Sequence, residues 1–190
     1  MTEEERRARI TISRTIARAL RHDPGLLGLA LDAHGFAAVL DVLRGLGALG
    51  MGVDVARLRA IVETTTDKRR FELSPDGARI RALQGHSVPV DLGLTPIAPP
   101  AVLFHGTVAR FLASIEKEGL RRGKRSHVHL SETEEAARRV GARRGAPVVL
   151  RVEAGRMHAA GFTFLRADNG VWLTDHVPPE LLSRLGTAPR

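Results

Sequence analysis

Arg69-Arg70-Phe71-Glu72-Leu73-Ser74-Pro75-Asp76-Gly77-Ala78-Arg79-Ile80-Arg81-Ala82-Leu83 is where apolar spacing along the chain changes from the period of a helix to that of a strand. Apolar and charged residues alternate on either side of Ser74-Pro75-Asp76-Gly77. Proline presets one turn angle and Asp-Gly supplies a left-handed position, so the stretch predicts two short strands joined as a hairpin. Upstream, Ile12, Ile16 and Leu20 recur at every fourth residue, which predicts a helix that Thr11 or Ser13 caps and Pro24 stops. Arg21 and His22 then fall in its last turn. Further helices are expected over 38–46 and over 53–64, where Val55, Leu58 and Val62 share a face. Three helices followed by a hairpin is the element order of a winged helix.

Downstream of the hairpin, Pro89, Pro96, Pro99 and Pro100 interrupt a stretch with few charges. Proline cannot continue a helix, so residues 89–100 read as an extended linker between a lobe at 1–88 and a lobe at 101–190. The second lobe alternates. A strand at 102–105 leads to a helix at 108–118 that Gly119 ends, and a strand at 127–130 leads, with Ser131 as N-cap and Glu134 as its capping-box partner, to a helix reaching Val140. Strands are expected at 148–152, 162–166 and 171–174, the last two joined by an Asp168-Asn169-Gly170 turn. The fold class is α+β, with a mixed or antiparallel sheet.

Composition narrows the chemistry. The 190 residues carry a net charge of +8 and no cysteine, so thiol chemistry and disulfides are excluded. Lysine occurs only at Lys68, Lys117 and Lys124, so 26 of the 29 basic residues are arginine, whose planar fork holds a phosphate through two parallel hydrogen bonds. A basic balance of this kind favours a polyanionic partner, nucleic acid foremost. No run of ~18 apolar residues and no basic-then-apolar leader is present, which predicts a cytoplasmic protein with no membrane partner.

Histidines mark the second lobe. Phe104-His105-Gly106-Thr107 places a histidine at a glycine turn after an apolar strand, and His127-Val128-His129-Leu130-Ser131 puts two histidines on one face of the next strand. Such residues can line one cleft. Metal binding is not expected, because His127 and His129 have no cysteine and no third ligand nearby to complete a zinc set. Nucleophile-elbow, P-loop and dinucleotide glycine motifs are missing too.

Eight separated segments, taken in order, carry a resemblance. They are Leu20-Arg21-His22-Asp23-Pro24, Gly28-Leu29-Ala30-Leu31-Asp32, Asp67-Lys68-Arg69-Arg70-Phe71-Glu72-Leu73, Gln84-Gly85-His86-Ser87, His105-Gly106-Thr107, His127-Val128-His129-Leu130-Ser131, Val140-Gly141-Ala142-Arg143 and Asn169-Gly170-Val171-Trp172-Leu173-Thr174. Together they closely resemble the NAD-dependent RNA 2'-phosphotransferases, the family of the tRNA-splicing enzyme. The resemblance implies a winged-helix RNA-binding lobe joined to an ADP-ribosyltransferase-like, NAD-binding lobe, with the active site in the cleft between them. It implies two steps. An internal RNA 2'-phosphate displaces nicotinamide from NAD to give a 2'-phospho-ADP-ribosylated RNA. Transesterification then releases ADP-ribose 1'',2''-cyclic phosphate and an RNA 2'-OH.

By the same resemblance Arg21, His22, Arg70 and Arg143 are the catalytic residues, with Arg143 chosen over Arg144 by its spacing from Gly141. Arg14 and Lys68 contact the substrate phosphate. His105, Gly106, Thr107, His129, Leu130 and Ser131 hold NAD, and no metal is implied. Guanidinium groups suit a phosphorus that gains charge and coordination, and an imidazole beside Arg21 titrates in the range useful for proton transfer. Phe104 stands where the family tends to have tyrosine, and Arg14 where it usually has lysine. A monomer is expected. An ADP-ribosyltransferase acting on another nucleic-acid phosphate or a protein acceptor, and a non-enzymatic winged-helix regulator, are the alternative readings.

Overall fold

The computed structural model describes residues 2–63 and 69–185. The chain divides into two units, Met1–Gly93 and Leu94–Arg190, and the division falls inside the proline-interrupted stretch. Both units mix helices with antiparallel strands. Among the described residues no helix is long and apolar enough to cross a membrane.

In the first unit, α1 (Glu3–Arg21) begins much earlier than the apolar repeat alone suggests. Its cap is Thr2, not Thr11 or Ser13. The Thr2 hydroxyl accepts from the Glu5 amide at 3.1 Å, and the Glu5 carboxylate accepts from the Thr2 amide at 2.7 Å. This reciprocal capping box satisfies two of the donors a helix start leaves open. Thr11 lies in mid-helix, its hydroxyl donating to the Arg7 carbonyl at 3.1 Å. Ile12, Ile16 and Leu20 are buried as the spacing requires.

A short 3-10 turn (Pro24–Leu27) follows, then β1 (Ala37–Ala38), α2 (Val39–Ala48) and α3 (Val55–Glu63). The buried face of α3 is Leu58, Ile61 and Val62; Val55, expected on it, is exposed. The hairpin pairs β2 (Phe71–Leu73) with β3 (Arg79–Ala82), and β1 adds to the other edge of β3. Ile80 therefore sits opposite both Leu73 and Ala37, with its side chain in a core that includes Ile16, Leu20, Leu46, Leu58 and Phe71. Asp76 closes the turn, accepting from the Ser74 hydroxyl at 2.5 Å and the Ala78 amide at 3.0 Å.

In the second unit β4 runs Leu103–Val108 and is followed by a 3-10 turn (Ala109–Phe111) and α4 (Leu112–Glu118). His105 and Gly106 thus lie inside a strand, not at a glycine turn. The reason is β7 (Pro147–Val152), which pairs with β4 in unbroken antiparallel register from Leu103 opposite Val152 to Val108 opposite Pro147. Gly119, at φ 74°, does end α4. After β5 (Leu120–Arg121) and β6 (Val128–Leu130) comes α5 (Glu134–Ala142).

The N-cap of α5 is Thr133, which accepts from the Ala136 amide at 3.2 Å. Ser131 does not cap it, because its backbone is engaged elsewhere: Ser131 and Phe104 exchange two amide–carbonyl bonds of 2.8 Å. That bridge joins the sheet β11 (Leu182–Arg184)–β7–β4 to the sheet containing β6, β9 (Trp172–Thr174) and β8 (Leu165–Arg166). The strand expected at 162–166 is only β8. A helix, α6 (Ala154–Ala159), and a pair formed by β5 and β10 (His176–Val177) complete the unit.

Helix α5 lies directly on β4, and two glycines permit it. A Cβ on Gly106 would overlap the Ala137 carbonyl oxygen, and one on Gly141 would stand 2.8 Å from the Thr107 carbonyl oxygen. Overpacking without room to relax costs about 1–3 kcal/mol or more, and here the obstacle is backbone. We expect Gly106→Ala to destabilise the second unit by at least about 3 kcal/mol. Thermal unfolding followed by circular dichroism checks this, and a melting temperature unchanged from wild type contradicts it.

Candidate active site

Each unit presents a cationic constellation built on a held backbone. In the first, Arg21 ends α1 and His22 is its C-cap, the His22 amide donating to the Arg18 carbonyl at 2.9 Å. The segment Gln84-Gly85-His86-Ser87 folds beneath them. Gly85 has φ 89°, open to glycine alone, and a Cβ there would meet the Arg21 side chain at 3.7 Å. The Arg21 carbonyl accepts from the Ser87 amide at 2.8 Å and from its hydroxyl at 3.5 Å. The Ser87 hydroxyl also makes a 2.9 Å hydrogen bond with His22 Nδ1. His22 itself is exposed, its ring anchored at Nδ1.

His86 lies buried under this pair at 2% exposure. Burial first, and then the charges of Arg21, His22 and Arg81, push its pKa from 6.5 down to about 4. It is neutral near pH 7 and adds no charge beside Arg21. Arg70 stands just ahead of β2, exposed, with Nη1 donating to the Ser13 hydroxyl on α1 at 3.3 Å. Arg14 is exposed one residue further along the same helix. Lys68 lies outside the described residues.

In the second unit the two histidine segments come together. His105 Nδ1 donates to the His129 carbonyl at 3.0 Å, and His129 Nδ1 donates to the His127 carbonyl at 3.0 Å. A carbonyl can only accept, so both rings carry the Nδ1 proton. Burial holds the His105 pKa below its ordinary value, and the nearby Arg144 and Arg125 charges add to the effect against the His129 bond. Neutral His105 therefore presents Nε2 as an acceptor. His127 is lowered as well, by burial first. Thr107, Leu130 and Ser131 are buried, Leu130 within the apolar core. Gly106 is accounted for by the approach of α5. Glu132, next to Ser131, takes the Trp172 indole N–H at 2.9 Å and pairs with Arg166 at 2.9 Å, which fixes the end of the turn carrying Ser131.

Arg143 and Arg144 sit at and just past the C-terminal end of α5, where the helix dipole favours cations. The α5–β4 packing brings that end to the strand carrying His105. Arg125, in the turn before β6, joins them: partial desolvation and then Arg144 and Arg143 lower its pKa. Arg125 and Arg144 are the candidates that reading the sequence missed or set aside. Their signal is an arginine without a carboxylate at helical or strand spacing.

A sequence profile described as the RNA 2'-phosphotransferase, Tpt1/KptA family matches residues 7–176. The chain belongs to that family. A protein of Agrobacterium fabrum named "Probable RNA 2'-phosphotransferase" is 55% identical over 166 residues, covering 87% of this chain and 89% of its own. Proteins of the same name from Burkholderia lata and Streptomyces griseus are 49% and 50% identical, each over 94% of this chain and over 92% and 97% of their own. The family match spans both constellations, Arg21 to Arg70 in the first unit and His105 to Arg144 in the second.

The buried His86 supplies a pH signature. Its folded pKa of about 4 is below the 6.5 of the free group, so as pH falls the unfolded chain takes up a proton that the folded chain refuses. The stability this group leaves intact is full above pH 6.5 and declines toward pH 4, by up to roughly 3 kcal/mol. Urea unfolding at several pH values checks the slope, and histidine-labelled NMR identifies the ring. A His86 signal that titrates near 6.5 contradicts the assignment.

Proposed function

We propose that this chain removes an internal 2'-phosphate from RNA by transferring it to NAD, through a 2'-phospho-ADP-ribosylated RNA, giving an RNA 2'-OH, nicotinamide and ADP-ribose 1'',2''-cyclic phosphate. The observation that carries the reading is the match to the RNA 2'-phosphotransferase family across both cationic constellations. The helices and three-stranded β1–β3–β2 sheet of the first unit support a winged-helix, RNA-binding lobe. The two small antiparallel sheets of the second, bridged at Phe104 and Ser131 with α5 on β4, support an ADP-ribosyltransferase-like, NAD-binding lobe.

The residues present fit a dinucleotide. His105, neutral and with Nδ1 committed to the His129 carbonyl, offers Nε2 to a ribose hydroxyl or an amide N–H. The guanidinium of Arg125 beside it suits a pyrophosphate. NAD supplies the electrophilic ribose carbon, the departing nicotinamide and the hydroxyl that later accepts the phosphorus. Arg21 and Arg70 hold the RNA phosphate and Arg143 takes charge as phosphorus becomes five-coordinate. His22 Nε2 moves the proton in the second step, its ring held by Ser87.

Purified protein with NAD and a short RNA bearing one internal 2'-phosphate is expected to release nicotinamide and form the cyclic phosphate, with or without chelator. Arg70→Ala is expected to slow the second step by roughly 100- to 1000-fold and to let ADP-ribosylated RNA accumulate. Gel analysis of the RNA reads the intermediate. Turnover that falls with no intermediate visible contradicts the role of Arg70. Wild-type protein that leaves the 2'-phosphate in place contradicts the function.

A further inference from the structure

Phe111 is one of six phenylalanines in a chain with no tyrosine, and it is 37% exposed at the end of the 3-10 turn after β4. Two guanidiniums face its ring: Arg110 at 5.0 Å from the centroid and Arg144 at 5.8 Å. Arg144 in turn stands close enough to Arg125 and His105 to perturb both. Arg110, Phe111, Arg144, Arg143 and Arg125 therefore form one continuous group.

Charge pairing sets this group apart. On α5 itself Arg138 pairs with Glu134 at 2.6 Å and Arg139 with Glu135 at 2.5 Å. Among the described residues Arg110, Arg125, Arg143 and Arg144 make no ion pair of that kind. The C-terminal dipole of α5 explains a favourable position for Arg143 and Arg144. It does not explain why Arg125, from another element, stands there with its pKa lowered by burial and then by Arg144 and Arg143. Four guanidiniums gathered without a carboxylate among the described residues fit an anion of several charges, and a ring 37% exposed beside them fits a planar base. One dinucleotide brings a single pyrophosphate. A polynucleotide strand brings a phosphate with every base, and stacking on an aromatic face flanked by arginine is how single strands are held irrespective of sequence.

We propose that Phe111, Arg110 and Arg144 form a strand platform on the second unit: a base of the single-stranded RNA flanking the reacting 2'-phosphate stacks on Phe111, and the two arginines take the adjoining backbone phosphates. The inference rests on the RNA-directed function proposed above and extends it, since RNA is then gripped by the second unit as well as the first.

The test uses the full chain, NAD and a six-nucleotide RNA with one internal 2'-phosphate. Phe111→Leu keeps apolar bulk and removes the ring; it is expected to raise the KM for RNA roughly 10- to 100-fold and to leave the KM for NAD within about twofold. Phe111→Trp is expected to restore RNA affinity, and RNA is expected to quench its fluorescence beyond the change seen in wild type, where Trp172 is 4% exposed. Arg110→Gln is expected to lower the salt slope of RNA binding by about 0.7 log units per log unit. An unchanged RNA KM in Phe111→Leu overturns the platform while the function stands. A rise in the NAD KM instead overturns it by assigning the ring to the dinucleotide. A wild-type chain that does not turn over this RNA overturns both readings.

Discussion

The second unit hangs on the contact between α5 and β4, where backbone meets backbone with no side chain between. Gly106 leaves space for the Ala137 carbonyl, and Gly141 leaves space for the Thr107 carbonyl. Because both partners are main chain, neither can swing aside as a side chain would. The contact therefore sets the height of the helix above the sheet. That height decides where the end of α5 lies, and with it Arg143 and Arg144. A glycine in mid-strand weakens the strand locally. Here the loss is offset by β7, which pairs with all six residues of β4, and by a helix brought close enough to place Arg144 near His105.

The two units solve one electrostatic problem in the same way. Clustered guanidiniums repel, and a protonated imidazole among them would add to the cost. In each unit a histidine next to arginines is kept neutral, His86 under Arg21 and His105 near Arg144, in both cases by burial first and by the neighbouring charge second. His105 gains from this a fixed tautomer through the His129 carbonyl. His86 gains nothing a ligand could use, being sealed from solvent, so its part is to support Arg21 and His22 without competing for anions. His22, by contrast, is exposed, with Nδ1 hydrogen-bonded to Ser87. Burial, and not residue type, is thus what separates the two histidines.

What was legible in the sequence follows what local rules control. The face of α1, the Pro-Asp-Gly hairpin and the break among the prolines are set by spacing and by fixed dihedrals, and they can be read residue by residue. Strands of two residues such as β1 and β10 hold too few positions to alternate, so no pattern announces them. Gly106 reads locally as a turn; pairing with β7 makes it a strand residue, and the approach of α5 requires it to be glycine. Ser131 is a good capping residue by type, but the bridge to Phe104 takes its backbone and leaves the cap to Thr133. The resemblance located Arg21, His22, Arg70 and Arg143 as motifs, whereas Arg125 joins Arg143 only through the return of the chain from β6 into α5. Spacing in sequence carries no trace of that.

The net charge of +8 is a poor guide to where anions bind, because it does not say which arginines carry the excess. Arg138, Arg139, Arg151 and Arg166 in the second unit, and Arg79 and Arg81 in the first, are each matched to a carboxylate. Exposed pairs of this kind add little to stability. Their larger effect is on recognition. By neutralising Arg121, Arg138, Arg139, Arg151 and Arg166 they leave Arg110, Arg125, Arg143 and Arg144 near the end of α5 as a local excess, and a phosphate approaching the molecule feels that contrast more than the total. Selective pairing, rather than the abundance of arginine, is what turns a basic protein into one with a site.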